Sequence, residues 1–298
     1  MFDRIKQGMY WDKPWTLVSG CTRCSPGCEH CWALAMENRF GRYKRDEEGM
    51  FIETHPERLH IPALRRKPTV WAIWNDLFHE NVPIDFIQSA FDVMSTCGNH
   101  IFLLLTKRIE RMAAILPHLR YIGGMKWQDS PTPHIWLGVT VCNQAEADEK
   151  IPILLQIPAV VRWVSIEPML GPIDLRNIKV SSGPGFSDWD RAPECLKWIV
   201  MGGETGPGAR PMHPDWVRSV RDQCQAAGVP FFFKSWGEWC PGLGTKGGFV
   251  SGLDGQFTKA GDKSTHEWGN GYISQRVGKK TAGRLLDGRE WNELPEDK

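Results

Sequence analysis

Short apolar runs of strand length recur along the chain, and each gives way to polar residues before helical periodicity sets in. Trp15-Thr16-Leu17-Val18 is the first, leading into a cysteine-rich loop and then a helix expected from Trp32 to Arg39. Thr69 to Trp74 ends in Asn75-Asp76, with a helix from about Asp85 to Ser95 to follow. His100 to Leu105 ends in Thr106-Lys107-Arg108 and precedes a helix through Leu116. Ile135 to Val139 ends in Thr140 and precedes a helix from about Ala145 to Leu155. Val160 to Ile166 runs into Glu167-Pro168. Trp198 to Met201 ends in Gly202-Gly203-Glu204 before a helix from about Pro214 to Ala227, and Pro230 to Phe233 ends in Lys234.

Strands alternating with helices predict parallel β/α units, and nearly continuous apolar strands suit a sheet covered on both faces. The expected fold class is α/β, a TIM-like (β/α) barrel, complete or partial, with an open doubly wound sheet as the second choice. In either, ligands gather at the carboxyl ends of the strands, where this chain carries Asp76, Lys107, Arg108, Glu167, Glu204 and Lys234. Residues 1–240 are expected to form the barrel, interrupted by a charged insertion over 41–67 that holds Arg42, Lys44, Arg45, Arg58, Arg65, Arg66 and Lys67. Residues 241–298 read as an irregular extension packed on the barrel, with a hairpin at most and a closing turn at Arg284-Leu285-Leu286-Asp287-Gly288.

Composition narrows the picture only a little. A chain of 298 residues can bury a full core. No apolar run reaches the roughly 18 residues of a membrane helix, and the N-terminus lacks the apolar region of a signal peptide, so a soluble, cytoplasmic protein is expected. Nine cysteines, five of them scattered singly, fit a reducing compartment better than a disulfide framework. A net charge of +1 argues neither for nor against nucleic acid, which needs a local basic surface. The 15 tryptophans are mostly core, with a few left to stack on a flat ligand.

Chemistry concentrates in Gly20-Cys21-Thr22-Arg23-Cys24-Ser25-Pro26-Gly27-Cys28-Glu29-His30-Cys31, which packs four cysteines around a Pro-Gly turn. Thiolates at such density repel unless a cation sits among them, which points to a metal. Cys24, Cys28 and Cys31 have the spacing that brings three thiolates to three irons of a cubane cluster, and Cys21, Cys28 and Cys31 give a wider version. All four together suit tetrahedral zinc, and plain buried or paired cysteines are the remaining reading.

Beyond the cysteines, Asn75 and Asp76 suit an amino group or ribose, while Thr106, Lys107, Arg108 and Thr140 complete a cofactor-binding rim in which Lys107 and Arg108 take a carboxylate or phosphate. Glu167, Glu204 and Lys234 are the candidate catalytic groups. Glu167 calls for a cationic partner in Lys234 or Arg108, and the Gly202-Gly203 pair would let a ligand approach the backbone. His79 and His213 read as structural.

These motifs, together with Asp76-Leu77-Phe78-His79, Leu105-Thr106-Lys107-Arg108, Ser165-Ile166-Glu167-Pro168, Ala209-Arg210-Pro211 and Phe233-Lys234, resemble a phage and prophage family marked by three cysteines and regarded as related to radical S-adenosylmethionine (radical SAM) enzymes. Here Cys24 is an additional cysteine, and Trp32 stands where a tyrosine is usual. The resemblance implies a [4Fe-4S] cluster on Cys21, Cys28 and Cys31, with Cys24 as the alternative ligand. It also implies bound S-adenosyl-L-methionine and an external electron donor of flavodoxin or ferredoxin type. The 5'-deoxyadenosyl radical so formed would rearrange or modify a thymine-derived or other hypermodified base in phage DNA, an isomerase or base-modifying activity in the host cytoplasm. DNA or a modified nucleotide would be the partner. Competing expectations are a non-catalytic zinc or iron-sulfur protein that binds nucleic acid, a radical SAM enzyme acting on a small molecule or peptide, and a hydrolase or transferase with structural zinc.

Overall fold

The computed structural model describes residues 2–31, 33–34, 45–46, 49–50, 52–120, 124–180, 192–246, 249–252, 257–259, 265–269 and 271–295. Seven parallel strands form its centre: β1 (Lys13–Trp15), β2 (Val70–Ile73), β3 (Ile101–Thr106), β4 (Ile135–Thr140), β5 (Arg162–Ile166), β6 (Trp198–Gly202) and β7 (Phe231–Ser235). They lie side by side in chain order, with β1 at one edge and β7 at the other, where Phe232 forms an antiparallel bridge with Asn292. The architecture is an open, curled half-barrel, a partial TIM-like fold. Because the strand order never reverses, the sheet lacks the switch point that defines a doubly wound fold.

Helices α1 (Ile84–Thr96), α2 (Ile109–Ile115), α3 (Gln144–Gln156) and α4 (Pro214–Ala227) fall where periodicity places them. Local chemistry sets their ends. Asn143 accepts the Glu146 amide at 3.0 Å while Glu146 Oε2 accepts the Cys142 amide, a reciprocal cap that starts α3. Helix α4 begins with Pro214 behind an N-capping His213 and stops at Gly228, whose φ of 66° allows the left-handed cap. Its buried Val217, Val220 and Cys224 form one apolar stripe. The helix expected over Trp32 to Arg39 falls largely outside the described residues, as do Arg42 and Lys44 of the insertion.

Alternation along each strand divides the core. One set of side chains, including Trp15, Phe102, Leu104, Leu137, Val164, Ile199 and Phe233, packs with the helices. The other, Val70, Ile101, Leu103, Trp136, Trp163, Trp198, Val200 and Phe232, fills the second face with Tyr10, while Phe2, Ile5, Trp11 and Leu294 pack against it. Tyr10 makes edge contacts with Trp163, Trp198 and Phe232 at centroid distances of 5.6–5.9 Å. The N-terminal segment thus seals the face that a complete barrel would enclose. Trp136, Trp163 and Trp198 are part of this plug, in keeping with a mainly core role for the tryptophans.

Two differences from the expected organisation stand out. The first strand begins earlier, at Lys13, and Val18–Ser19 leaves the sheet to pair with Glu53–Thr54. The C-terminal extension is more regular than the glycine-rich sequence suggests. It holds a five-stranded antiparallel sheet of β8 (Trp239–Lys246), β9 (Phe249–Gly252), β10 (Phe257–Lys259), β11 (Thr265–Glu267) and β12 (Tyr272–Arg276), ordered β10-β9-β8-β12-β11. Cross-strand pairing supplies the order that propensity lacks here. The closing turn is present, with the Leu286 amide donating to Arg289 O and Leu286 fully buried.

Gly138 in β4 exists to make room for the plug, since a Cβ there would lie 2.4 Å from the Trp163 ring. Gly138→Ala is expected to lower the unfolding free energy by about 2 kcal/mol, because overpacking forces ring or backbone shifts. The check is a urea titration, which should show a lower midpoint at unchanged slope.

Candidate active site

The cysteine loop leaves β1 and folds over the carboxyl ends of the strands as a single turn of 3-10 helix. Pro26–Cys28 forms the turn, Ser25 Oγ accepts the Gly27 amide at 3.2 Å, and the Cys28 amide donates to Ser25 O at 2.9 Å. Gly27 is required by crowding: a Cβ there would come within 2.4 Å of Cys142 Sγ and 3.1 Å of Pro168.

Two arginines strap this loop to the sheet from opposite sides. Arg108, buried at the end of β3, donates to Asp76 Oδ2 at 3.0 Å, to both Glu80 oxygens, and to the Thr22 carbonyl and hydroxyl at 3.1 and 2.8 Å. Arg210 donates from its side chain to both oxygens of buried Glu204, to Glu29 Oε2 at 2.8 Å and to Pro26 O at 3.0 Å. Such charge-assisted, bidentate bonds are the strong class, and half-buried geometry limits their screening.

Between the straps the thiols meet cations. The neighbouring Cys24 thiol is the main influence bringing the Cys28 thiol down to about 5; burial opposes the shift and Lys107 assists it. Cys24 is raised in turn by its pairing with Cys28 and by burial. Burial acts against the Lys107 ammonium, yet Cys28, Cys142, Cys31 and Asp76 hold its pKa above the ordinary lysine value. Burial pushes Cys21 up to about 11, and its sulfur lies 3.5 Å from Thr22 O and 3.9 Å from Arg108. Cys142 is pushed up to about 12 by burial and by the Glu146 carboxylate.

The Glu167–Pro168 corner makes the adjoining wall. Lys234 Nζ sits 2.5 Å from Glu167 Oε1, as pairing demanded, and 5.9 Å from the Tyr10 ring centroid. The glycine pair divides its duties. A Cβ on Gly202 would make only ordinary contacts, at 3.5 Å, with Glu167 and Lys234, whereas one on Gly203 would lie 2.1 Å from Trp236 O. Close backbone approach is therefore a matter of Gly203 packing against the Trp236-Gly237 turn, not of a ligand.

Most of the expected cofactor rim is already bonded within the protein. Asp76 accepts from Thr106 Oγ1 at 2.7 Å, from the Phe78 amide at 3.0 Å and from Arg108, so its carboxylate is saturated. Asn75, at φ 60°, donates to Val18 O at 2.8 Å. Thr140 is buried at the end of β4. Glu204 is held by Arg210, and Lys107 is the rim cation that faces the thiols. His79 bonds Thr22 Oγ1 at 2.8 Å, and His213 caps α4; both are structural. Sequence reasoning assigned no part to Arg210, Thr22 or Cys142. Arg210 was visible inside the Ala209-Arg210-Pro211 stretch, but its reach across 181 positions to Glu29 has no local signal.

The chain belongs to the family described as a protein of unknown function (DUF5131), whose model matches residues 7–295. No curated protein and no solved structure matches it. These findings correct the resemblance to radical SAM enzymes and what it implied. The matching family carries no assigned reaction, and among the described residues no group of three or more His, Cys, Asp and Glu could hold a metal ion. Cys21, Cys28 and Cys31, with or without Cys24, do not converge on one point. The [4Fe-4S] cluster, S-adenosyl-L-methionine, the radical isomerase activity and the zinc alternatives go with that ligand set. The physical reason is that Lys107 and Arg108 supply the positive charge that the crowded thiols require. Among the described residues no helix is long and apolar enough to cross a membrane.

Asp76→Ala would leave the Arg108 guanidinium buried without its inner carboxylate. Breaking a buried ion pair from one side typically costs about 3–5 kcal/mol, and the part-exposed Glu80 moderates the loss here to roughly 3 kcal/mol. Thermal denaturation should show a clear fall in melting temperature for Asp76→Ala and a smaller one for Asp76→Asn, which keeps an acceptor.

Proposed function

We propose that the protein is a thiol-dependent oxidoreductase whose Cys24–Cys28 dithiol acts at the carboxyl ends of the strands on a small anionic substrate containing a disulfide. The observation that carries this reading is the closely spaced cysteine pair, Cys24 exposed and Cys28 buried, on a turn strapped by Arg108 through Thr22 and by Arg210 through Pro26. The two sulfurs share one proton once the pair has ionised, and titrate as a unit. The Cys28 thiolate takes the proton of the exposed Cys24 thiol as Cys24 attacks one sulfur of the substrate. The substrate S–S bond breaks, and the departing thiolate takes the proton from Cys28. The Cys28 thiolate then attacks Cys24 and expels the second substrate thiolate, leaving a Cys24–Cys28 disulfide and two electrons on the substrate. An external dithiol donor restores the pair.

Lys107 stabilises the thiolate, and Lys234, neutralised by Glu167, is the nearby cation an anionic substrate would engage. Glu204 is a positioning residue acting through Arg210. Among the described residues the cysteines are thiols rather than disulfides, which suits the reducing, cytoplasmic setting in which a dithiol is regenerated.

The test is reaction with a dicarboxylate aromatic disulfide, followed by peptide mass mapping. Cys28→Ser should trap a mixed disulfide at Cys24, Cys24→Ser should abolish the fast phase, and the wild type should form the Cys24–Cys28 bond. The rate should hold its plateau well below the ordinary thiol pKa of about 8.5, and Lys107→Met should move its midpoint upward. A rate that follows an ordinary thiol, with no Cys24–Cys28 product, would sink the proposal.

A further inference from the structure

A cleft of about 660 Å³ opens at the other end of the first two strands, lined by Lys13, Pro14, Ile61, Leu64, Arg65, Arg66, Lys67 and Trp71. Lys13 and Trp71 are register partners at the amino ends of β1 and β2, whereas the cysteine loop follows the carboxyl end of β1. The two sites are therefore separated by the length of the strands.

The lining is assembled from three places in the chain, and it concentrates one sign of charge. Four cations border it, and among the described residues the carboxylate engaging them is Asp3, which meets Lys67 at 2.5 Å. Arg65 is oriented by a 2.6 Å bond from Nε to Thr69 Oγ1, which itself donates to Lys67 O. For Lys13 and Arg66 the described residues supply no side-chain ion pair or hydrogen bond. Holding these charges together opposes folding, and a concave wall focuses their field on whatever enters. Beside them stands apolar surface that packing does not use: Leu64 is 73% exposed and Ile61 39%. Trp71 closes the cleft from within the sheet, 3% exposed.

We infer that this cleft is a second site, which binds a nucleotide. Its phosphates meet Lys13, Arg66 and Arg65, and its base lies on Leu64 and Ile61. The volume falls in the range of ordinary ligand pockets and accommodates one nucleotide unit. Guanidinium groups favour phosphate through paired donors, and the apolar side gives a nucleotide an advantage over bare phosphate. A membrane surface would use the same charges, but a recess suits a headgroup array less well than an exposed flat face does. The inference does not depend on the thiol chemistry at the opposite end.

The experiment is calorimetric titration of the full chain with adenosine triphosphate, inorganic triphosphate, a short oligodeoxythymidylate, and vesicles of phosphatidylcholine containing phosphatidylserine. Adenosine triphosphate should bind more tightly than inorganic triphosphate, with an affinity that falls as salt rises. Arg66→Glu and Lys13→Glu, both at surface positions, should each weaken it by roughly tenfold or more, the worth of one charge-assisted contact. Leu64→Asp should weaken the nucleotide more than the triphosphate, and Cys28→Ser should leave both unchanged. Tighter binding of the oligonucleotide assigns the nucleotide unit to a nucleic-acid strand, and tighter binding of the free nucleotide assigns it to a metabolite. Binding of vesicles alone, binding of none of the probes, or full affinity in Arg66→Glu overturns the site.

Discussion

A buried guanidinium must be neutralised where it lies, and Arg108 meets that demand by gathering groups from two separate segments. Asp76 at the end of β2, Glu80 beyond it and Thr22 in the cysteine loop all converge on one side chain at the end of β3. None of these partners is a neighbour in sequence. Removing charge from water makes each bond both stronger and less dispensable, so the set behaves as a unit. The register of the first three strands, the course of the loop and the environment of the thiols all follow from it. Arg210 repeats the device from the far side through Glu204 and Glu29, so the loop is fixed at both flanks.

The open sheet creates a second demand. A half-barrel of seven strands leaves its second face without the strands that would close it, and apolar side chains there must still be shielded from water. The chain answers with bulk: Trp136, Trp163 and Trp198 fill the space, Gly138 yields to one of them, and Tyr10 caps the cluster. Because that interior is solid, ligand chemistry is confined to the rim. The same plug leaves the amino ends of β1 and β2 bordered by the segment before Val70, where the basic cleft forms.

The thiols illustrate how one local signal supports two physical outcomes. Dense cysteines need positive charge nearby, and a metal is the common supplier. A lysine and an arginine delivered by β3 serve the same electrostatic purpose without drawing the sulfurs to a common centre. Which of the two obtains depends on where Lys107 and Arg108, just past the end of β3, point. Lys107 turns toward Cys28 and Arg108 toward Thr22 and Asp76.

By itself, the sequence determined the strands and helices of the sheet, because apolar runs and 3.6-residue periodicity reflect burial that any α/β packing must satisfy. The bounds of α4 and the chain order of the strands were legible in that way, and so were the strand-end positions of Asp76, Glu167, Glu204 and Lys234. The need of Glu167 for a cation was legible too, but the choice of Lys234 over Arg108 was made by the fold. The five-stranded C-terminal sheet was not, because its glycine-rich strands take their order from partners rather than from propensity. Nor were the roles of the polar residues. Asp76 and Glu204 have the chemistry of ligand-binding or catalytic groups, and only contacts made across the tertiary structure turned them into counter-ions for two arginines. Hydrophobic pattern is written locally, whereas the partner of a charge is chosen in three dimensions, by whichever opposite charge the fold brings within reach.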